Sequence, residues 1–351
     1  MSGTELDRLR AEIDEQPDVV QRLLERQLGS VRELADVIRQ RDPAAIVLVA
    51  RGSSDNAAVY GRYLLEVCNR RLTSLAAPSG LTLYGRGPRL DRTVVIGISQ
   101  SGQGEDVIAY VREARAQGAA TVALVNDEAS PLAETAERVI ACLAGPELSI
   151  PATKTVIAQM TLLAMLSSVL DPGTSATSPL AQLPETLRAA LAQREAAARL
   201  ARSLASSTLG SVIGRGFAFP PALEIALKLK ETSYTRAEPF SAADFLHGPM
   251  ALVEPGYSAL VLDAGGRSGE AAVDLARTIQ QRGGQPALLR AGDLGPLEGD
   301  LPNVSLAASI GEPYAPILVL VLGQLFAVEL ALARGLDPAR PRGLRKVTST
   351  R

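Results

Sequence analysis

Thr93-Val-Val-Ile-Gly-Ile-Ser-Gln-Ser-Gly102 is the stretch on which the fold turns. Six residues suited to a buried strand run straight into a Ser/Gly turn. The segment that follows, to Gln117, carries Val107, Ile108 and Val111 at helical spacing. Strand, tight turn and amphipathic helix in that order make one parallel α/β unit. Upstream, Ala45-Ile-Val-Leu-Val-Ala50 enters Arg51-Gly-Ser-Ser-Asp55 and then a helix through Glu66. Hydrophobic residues make up 46% of the chain and aromatics only 3%, so aliphatic side chains must pack the cores, as they do in helix-covered parallel sheets. The expected fold class is α/β.

The pattern is then written again. Ser211-Val-Ile-Gly214 leads through Arg215-Gly216 to a helix reaching Glu231, and Ser258-Ala-Leu-Val-Leu-Asp263 leads through Ala264-Gly-Gly-Arg-Ser268 to a helix ending at Arg282. Two pairs of units in the same order predict a duplicated domain, and 351 residues are enough for two cores. Asp171-Pro-Gly-Thr-Ser-Ala-Thr-Ser-Pro179 is rich in turn formers and reads as the linker, with one helix over Leu183–Ala205 leading into the second domain. From Gly335 onward prolines and basic residues replace apolar periodicity, which predicts a tail lying over another surface.

Several functional classes are disfavoured. Lys and Arg (36) nearly balance Asp and Glu (38), leaving no basic excess for a nucleic-acid or anionic membrane partner. Cys68 and Cys142 sit in apolar surroundings without CxxC or Cys/His spacing, so they read as core residues, and neither a disulfide framework nor a metal is expected. Neither GxGxxG nor GxxxxGK[ST] occurs, and no cofactor is expected. Met1-Ser-Gly3 leads into charged sequence, and no apolar run is expected to reach the roughly 18 residues that span a bilayer; the expected location is the cytoplasm.

Three places carry polar chemistry. Ser99-Gln-Ser-Gly102 would set hydroxyls, an amide and backbone N–H groups at a helix N-terminus, an arrangement that either caps the helix or cradles an anion. Ser53 and Ser54 occupy the equivalent turn of the preceding unit. Glu224, Lys228 and Glu231 fall at i, i+4 and i+7, hence on one helix face. That face is either solvated or lines a site in which Glu231 moves a proton and Lys228 steadies an oxyanion. His247, the single histidine, stands beside Gly248-Pro249 and is either structural or a general acid.

With these residues in place, the chain resembles the tandem sugar isomerase (SIS) domain family, being similar to the isomerase half of glucosamine-6-phosphate synthase and to free-standing glucosamine-6-phosphate deaminases. The resemblance runs from Glu12-Ile-Asp-Glu-Gln-Pro17 through Ser99-Gln-Ser-Gly102, Ala152-Thr-Lys154, Ala226-Leu-Lys-Leu-Lys-Glu231 and His247-Gly-Pro249 to Gly343-Leu-Arg-Lys346. It implies two flavodoxin-like αβα layers: an N-terminal arm at 1–28, SIS domains at 29–178 and 179–335, and a tail at 336–351 over the active site. It assigns phosphate binding to Ser53, Ser99, Gln100 and Ser101, places Ala152 in the substrate loop, and makes Glu231 the base between C1 and C2 with Lys228 beside it. His247 would open the sugar ring, reaching the site of the partner in a homodimer, and Lys346 would form a Schiff base with the open-chain ketose. The family pattern departs at Gly104, where a threonine is expected, and at Ala152, where a small hydroxyl residue is expected. No ammonia-producing domain is expected ahead of Met1-Ser2. The implied reaction is therefore conversion of glucosamine 6-phosphate, or a close 2-amino hexose 6-phosphate, to fructose 6-phosphate and ammonia. A fructosamine-6-phosphate deglycase, a simple ketose–aldose isomerase and a non-catalytic phosphosugar sensor are the alternatives.

Overall fold

The computed structural model describes residues 4–170 and 177–346. The chain divides into two compact units. One comprises Asp18–Leu148, Ala152–Ala181 and the tail from Arg345; the other comprises the N-terminal residues up to Pro17, Ser149–Pro151 and Gln182–Leu344. The expected linker, Asp171–Pro179, lies largely outside the described residues.

The first unit is built on five parallel strands, β1 (Ala45–Val49), β2 (Thr73–Leu75), β3 (Thr93–Ser99), β4 (Ala120–Val125) and β5 (Arg138–Ala141), in the order β2-β1-β3-β4-β5. The second has β6 (Leu209–Gly214), β7 (Glu238–Ser241), β8 (Ser258–Asp263), β9 (Gln285–Gly292) and β10 (Asn303–Ala307), parallel and in the order β7-β6-β8-β9-β10. Numbered within its own unit, each sheet runs 2-1-3-4-5. The duplication read from the sequence is thus a duplication of topology, and both sheets are flanked by helices as expected. In such a sheet the chain reverses direction between strands 1 and 3, and the crevice at their carboxyl ends is where ligands bind.

Aliphatic packing closes each sheet. On one face of the first, Val95, Ala123 and Val125 meet Val107, Tyr110 and Val111 of the helix Glu105–Ala116. The helix Lys154–Leu170 packs against Ser53–Val67 and Leu28–Arg41. In the second unit Val261 and Leu288 pack with Ala272, Ala276 and Ile279 of the helix Gly266–Gln281.

Two expectations are corrected. The single helix over Leu183–Ala205 is two, Leu183–Leu191 and Arg194–Ser203. The Gln193 N–H bonds the Ala190 carbonyl at 3.0 Å, an i−3 turn that interrupts the i−4 ladder without any glycine or proline to announce it. An apolar run of spanning length does exist: Ala315–Ala333 is a 19-residue helix, long and apolar enough by composition to cross a bilayer. It serves instead as a core helix, with 89% of its apolar window buried, packed by Phe219–Ser233, Arg194–Ser203, Leu183–Leu191 and β9. Length and composition are the same for either role, and only the neighbours decide.

Candidate active site

In the first unit the strand order places β1 beside β3, with Val49 opposite Gly97. Their carboxyl ends therefore carry Ser53, which opens the helix Ser53–Val67, next to Ser99, Gln100 and Ser101. All four are half-buried. Two of the hydroxyls organise the turn: Ser99 Oγ accepts from the Gly102 N–H at 3.0 Å and Ser101 Oγ from the Gln103 N–H at 3.3 Å. Gly102 has φ +64°, and a Cβ there would lie 2.0 Å from Ser130 Oγ, so only glycine can close the turn. Gly104 caps the helix Glu105–Ala116 without a side-chain hydrogen bond. Ser54 is turned inward, its Oγ accepting from Gln159 Nε2 at 3.0 Å.

The corresponding turn of the second unit is filled by the chain itself. At the start of Gly266–Gln281 the Glu312 carboxylate accepts from the Arg267 N–H at 2.9 Å, the Ser268 N–H at 3.2 Å and Ser268 Oγ at 2.7 Å. Nearby, buried Asp263 holds Arg290 Nε at 2.8 Å and the Gly265 N–H at 2.7 Å. A cleft of about 810 Å³ opens at the carboxyl ends of β8, β9 and β10, lined by Gly265, Arg277 and Asp293 among others, and it contains none of the predicted site residues.

The helix Phe219–Ser233, started by Pro220 and Pro221 in its first turn, carries the charged face. The solvated alternative is overturned: the Glu224 and Lys228 side chains are 1% and 2% exposed, and Glu231 keeps 18%. Lys228 Nζ stands 2.5 Å from Glu231 Oε2 and 3.4 Å from Glu224 Oε1. Burial alone pulls the Lys228 pKa down. The charges of Glu224 and Glu231 and their hydrogen bonds outweigh it and hold the ammonium above its ordinary value. His247, in the same unit, is exposed at the end of the short helix Ala242–Leu246.

Back in the first unit, Lys346 Nζ donates to Glu147 Oε2 at 2.8 Å. The Glu147 side chain is fully buried and also accepts from the Thr153 N–H (2.9 Å), the Thr155 N–H (3.1 Å) and Thr155 Oγ1 (2.8 Å). Burial pushes its carboxyl up, but the Lys346 charge and these hydrogen bonds prevail and hold it below the usual range. One carboxylate thus ties the tail to the turn after Ala152. Among the described residues no group of three or more His, Cys, Asp or Glu side chains could hold a metal ion.

The SIS domain model matches residues 40–168 and again 211–334. The chain belongs to the SIS domain family. It is 33% identical over 344 residues to glutamine–fructose-6-phosphate aminotransferase [isomerizing] of Thermococcus kodakarensis, covering 95% of this chain but 56% of the relative. It therefore spans little more than half the length of that protein. A solved chain from Silicibacter pomeroyi DSS-3, described provisionally as a phosphosugar isomerase, superimposes with a TM-score of 0.85 at 34% identity, covering 94% of this chain and 99% of the other. Glucosamine-6-phosphate deaminase of Thermotoga maritima shares the fold, with a TM-score of 0.75, 19% identity and coverage of 98% and 100%.

Within the SIS framework the predicted residues fall into groups. Ser53, Ser99, Gln100 and Ser101 gather at the β1/β3 crevice. Ala152 and Lys346 share a carboxylate neighbourhood, and Lys228 and Glu231 form a buried cluster with Glu224. Sequence reasoning missed Glu147 and Glu312. The only signal for Glu147 was a lone acid in Ala144-Gly-Pro-Glu-Leu148, five residues before the Ala-Thr-Lys turn.

Proposed function

We propose that this SIS protein is an aminosugar-phosphate deaminase of the isomerising type, converting glucosamine 6-phosphate, or a close 2-amino hexose 6-phosphate, to fructose 6-phosphate and ammonia. The observation that carries the reading is the graded burial along one helix face. Glu224 and Lys228 are closed off, while Glu231 retains access at 18% and touches the Lys228 ammonium at 2.5 Å. A carboxylate that is reachable yet backed by a fixed cation suits removal of a carbon-bound proton beside a carbonyl. The deaminase named among the solved structures of this fold, and the isomerising aminotransferase among the relatives, support the substrate class.

In the proposed reaction His247 protonates the ring oxygen and the aldose opens. Glu231 takes the proton from C2 and returns it to C1, the C1 oxygen regains from water the proton it lost on ring opening, and the buried Lys228 ammonium acts through Glu231, fixing its carboxylate. The C2–N bond is then an imine; water adds to C2 and ammonia leaves, giving the ketose. Ser53, Ser99, Gln100 and Ser101 hold the phosphate, each hydrogen bond to a charged oxygen contributing about 1.5–3 kcal/mol. The working form is a homodimer in which His247 serves the partner's site. Lys346 can attack the ketose carbonyl only after it leaves Glu147 and gives up its ammonium proton to water, and the Schiff base then forms with loss of the carbonyl oxygen as water.

The test is incubation with glucosamine 6-phosphate while ammonia and fructose 6-phosphate are followed. Equal release of both is expected, and Glu231→Gln should lower kcat by about 10²–10⁴. Cleavage of fructosamine 6-phosphate in place of glucosamine 6-phosphate would replace this reading with a deglycase. Tight binding without turnover would make the protein a sensor.

A further inference from the structure

The groups gathered at the β1/β3 crevice are all neutral, yet the ligand proposed for them carries close to two negative charges at neutral pH. One cation stands at the same edge. Arg51 lies in the turn two residues after β1 ends at Val49, at the same carboxyl edge where β3 ends at Ser99. Arg51 Nε donates to Asp106 Oδ2 at 2.5 Å, with Asp106 nearly buried at 6% and Arg51 open at 51%. The other Asp106 oxygen accepts from the Val107 N–H at 2.9 Å, so the carboxylate is itself fixed in the first turn of Glu105–Ala116.

That carboxylate adjoins the gap left by Gly104. A Cβ placed on Gly104 would lie 3.7 Å from Asp106 Oδ1, so the guanidinium, bonded to the same carboxylate, stands beside the position a longer residue at 104 would fill. An arginine bound through Nε still offers the donors of its two terminal nitrogens, a fork that matches two phosphate oxygens. Asp55, on Ser53–Val67, also feels the Arg51 charge; burial raises its pKa against the pull of that charge. The duplicated turn shows what such a helix start holds: its N–H groups and Ser268 hydroxyl are closed on a carboxylate, that of Glu312.

We infer that Arg51 is a phosphate-contacting residue of this SIS site, oriented by Asp106, and that it makes the site select a dianionic phosphate. The inference rests on the phosphate-binding reading of the serine turns. Asp106 is the positioning residue and Arg51 touches the ligand.

The experiment measures Kd for glucosamine 6-phosphate and for inorganic phosphate between pH 5 and 8, in the wild type, Arg51→Gln, Arg51→Lys, Asp106→Asn and the double variant Arg51→Gln/Asp106→Asn. Wild-type affinity should rise as the phosphate loses its second proton near pH 6. Arg51→Gln should weaken glucosamine 6-phosphate by roughly 10- to 100-fold at pH 7.5 and flatten that rise. Arg51→Lys should recover part of the affinity as a point charge, and Asp106→Asn should cost less than Arg51→Gln. The double variant should match Arg51→Gln, and because it removes the unpaired buried carboxylate it keeps the test valid if the single variant folds poorly. Wild-type binding of neither ligand would sink the phosphate reading itself. Good wild-type binding, with Arg51→Gln and the double variant within about twofold and the same pH slope, would overturn the role of Arg51 alone.

Discussion

Glu147 and Lys228 are both charges kept out of water, and their partners decide how stability depends on pH. The folded Glu147 carboxyl titrates below its ordinary range, so its contribution is present above about pH 4.3 and lost as pH falls through the folded value. Lys228 titrates above its ordinary range, so its contribution is complete below about pH 10.4 and lost as pH rises through the folded value. Stability should therefore fall at both extremes. Lys346→Met isolates the acidic limb. Glu147 keeps its bonds from Thr153 and Thr155 but loses the Lys346 ammonium, which should cost about 1–3 kcal/mol at pH 7. Urea unfolding should show that difference shrinking as pH falls through the lowered folded value of the wild-type carboxyl, below which it is neutral in both proteins. A difference unchanged with pH would mean that lost packing, not the ion pair, is responsible.

Among the elements, the helix Phe219–Ser233 makes one notably close approach to Ala315–Ala333. A Cβ on Gly323, in Ala315–Ala333, would come within 2.2 Å of Ile225 Cδ1, so the two helices touch where a side chain is missing. Ile225 lies one residue from Glu224, and displacing it moves the charged face. Gly323→Ala should destabilise by about 1–3 kcal/mol through overpacking. It should also lower kcat while leaving inorganic phosphate binding at the serine turns unchanged. Unaltered kcat and melting temperature would show that the contact relaxes without moving Glu231. The strand–turn–helix units were legible because local periodicity reports them directly. The spacing of Glu224, Lys228 and Glu231 showed that they share a face, but whether a face is covered depends on how the helix packs against elements remote in sequence, such as Ala315–Ala333, whose Ala327 carbonyl accepts from Thr232 Oγ1. Glu147 escaped for the same reason: four of its hydrogen bonds come from Thr153, Thr155 and Lys346, and the last is far along the chain.

Taken whole, the molecule repeats one topology and divides its chemistry unequally, and Glu312 supplies a physical reason. The Ser99–Gly102 turn and the start of Gly266–Gln281 occupy the same place in their sheets, after the third strand of the 2-1-3-4-5 order. In the second unit the helix N-terminus is satisfied from within, by a carboxylate from 44 residues along the chain that accepts from two N–H groups and a hydroxyl. No motif could announce this, since Glu312 is an ordinary acid in Gly311-Glu-Pro313. An internal anion there costs no translational entropy and competes with any external one. Glu312→Ala should therefore destabilise by about 0.5–2 kcal/mol, the range for a lost helix cap. The exposed N–H groups should then accept inorganic phosphate, so that calorimetry counts a second, weaker site per chain and millimolar phosphate restores part of the lost melting temperature. If the stoichiometry stays at the wild-type value and phosphate restores nothing, Glu312 is not what keeps the second turn from binding, and the asymmetry must come instead from the Gly265-Gly266 backbone that replaces the serines.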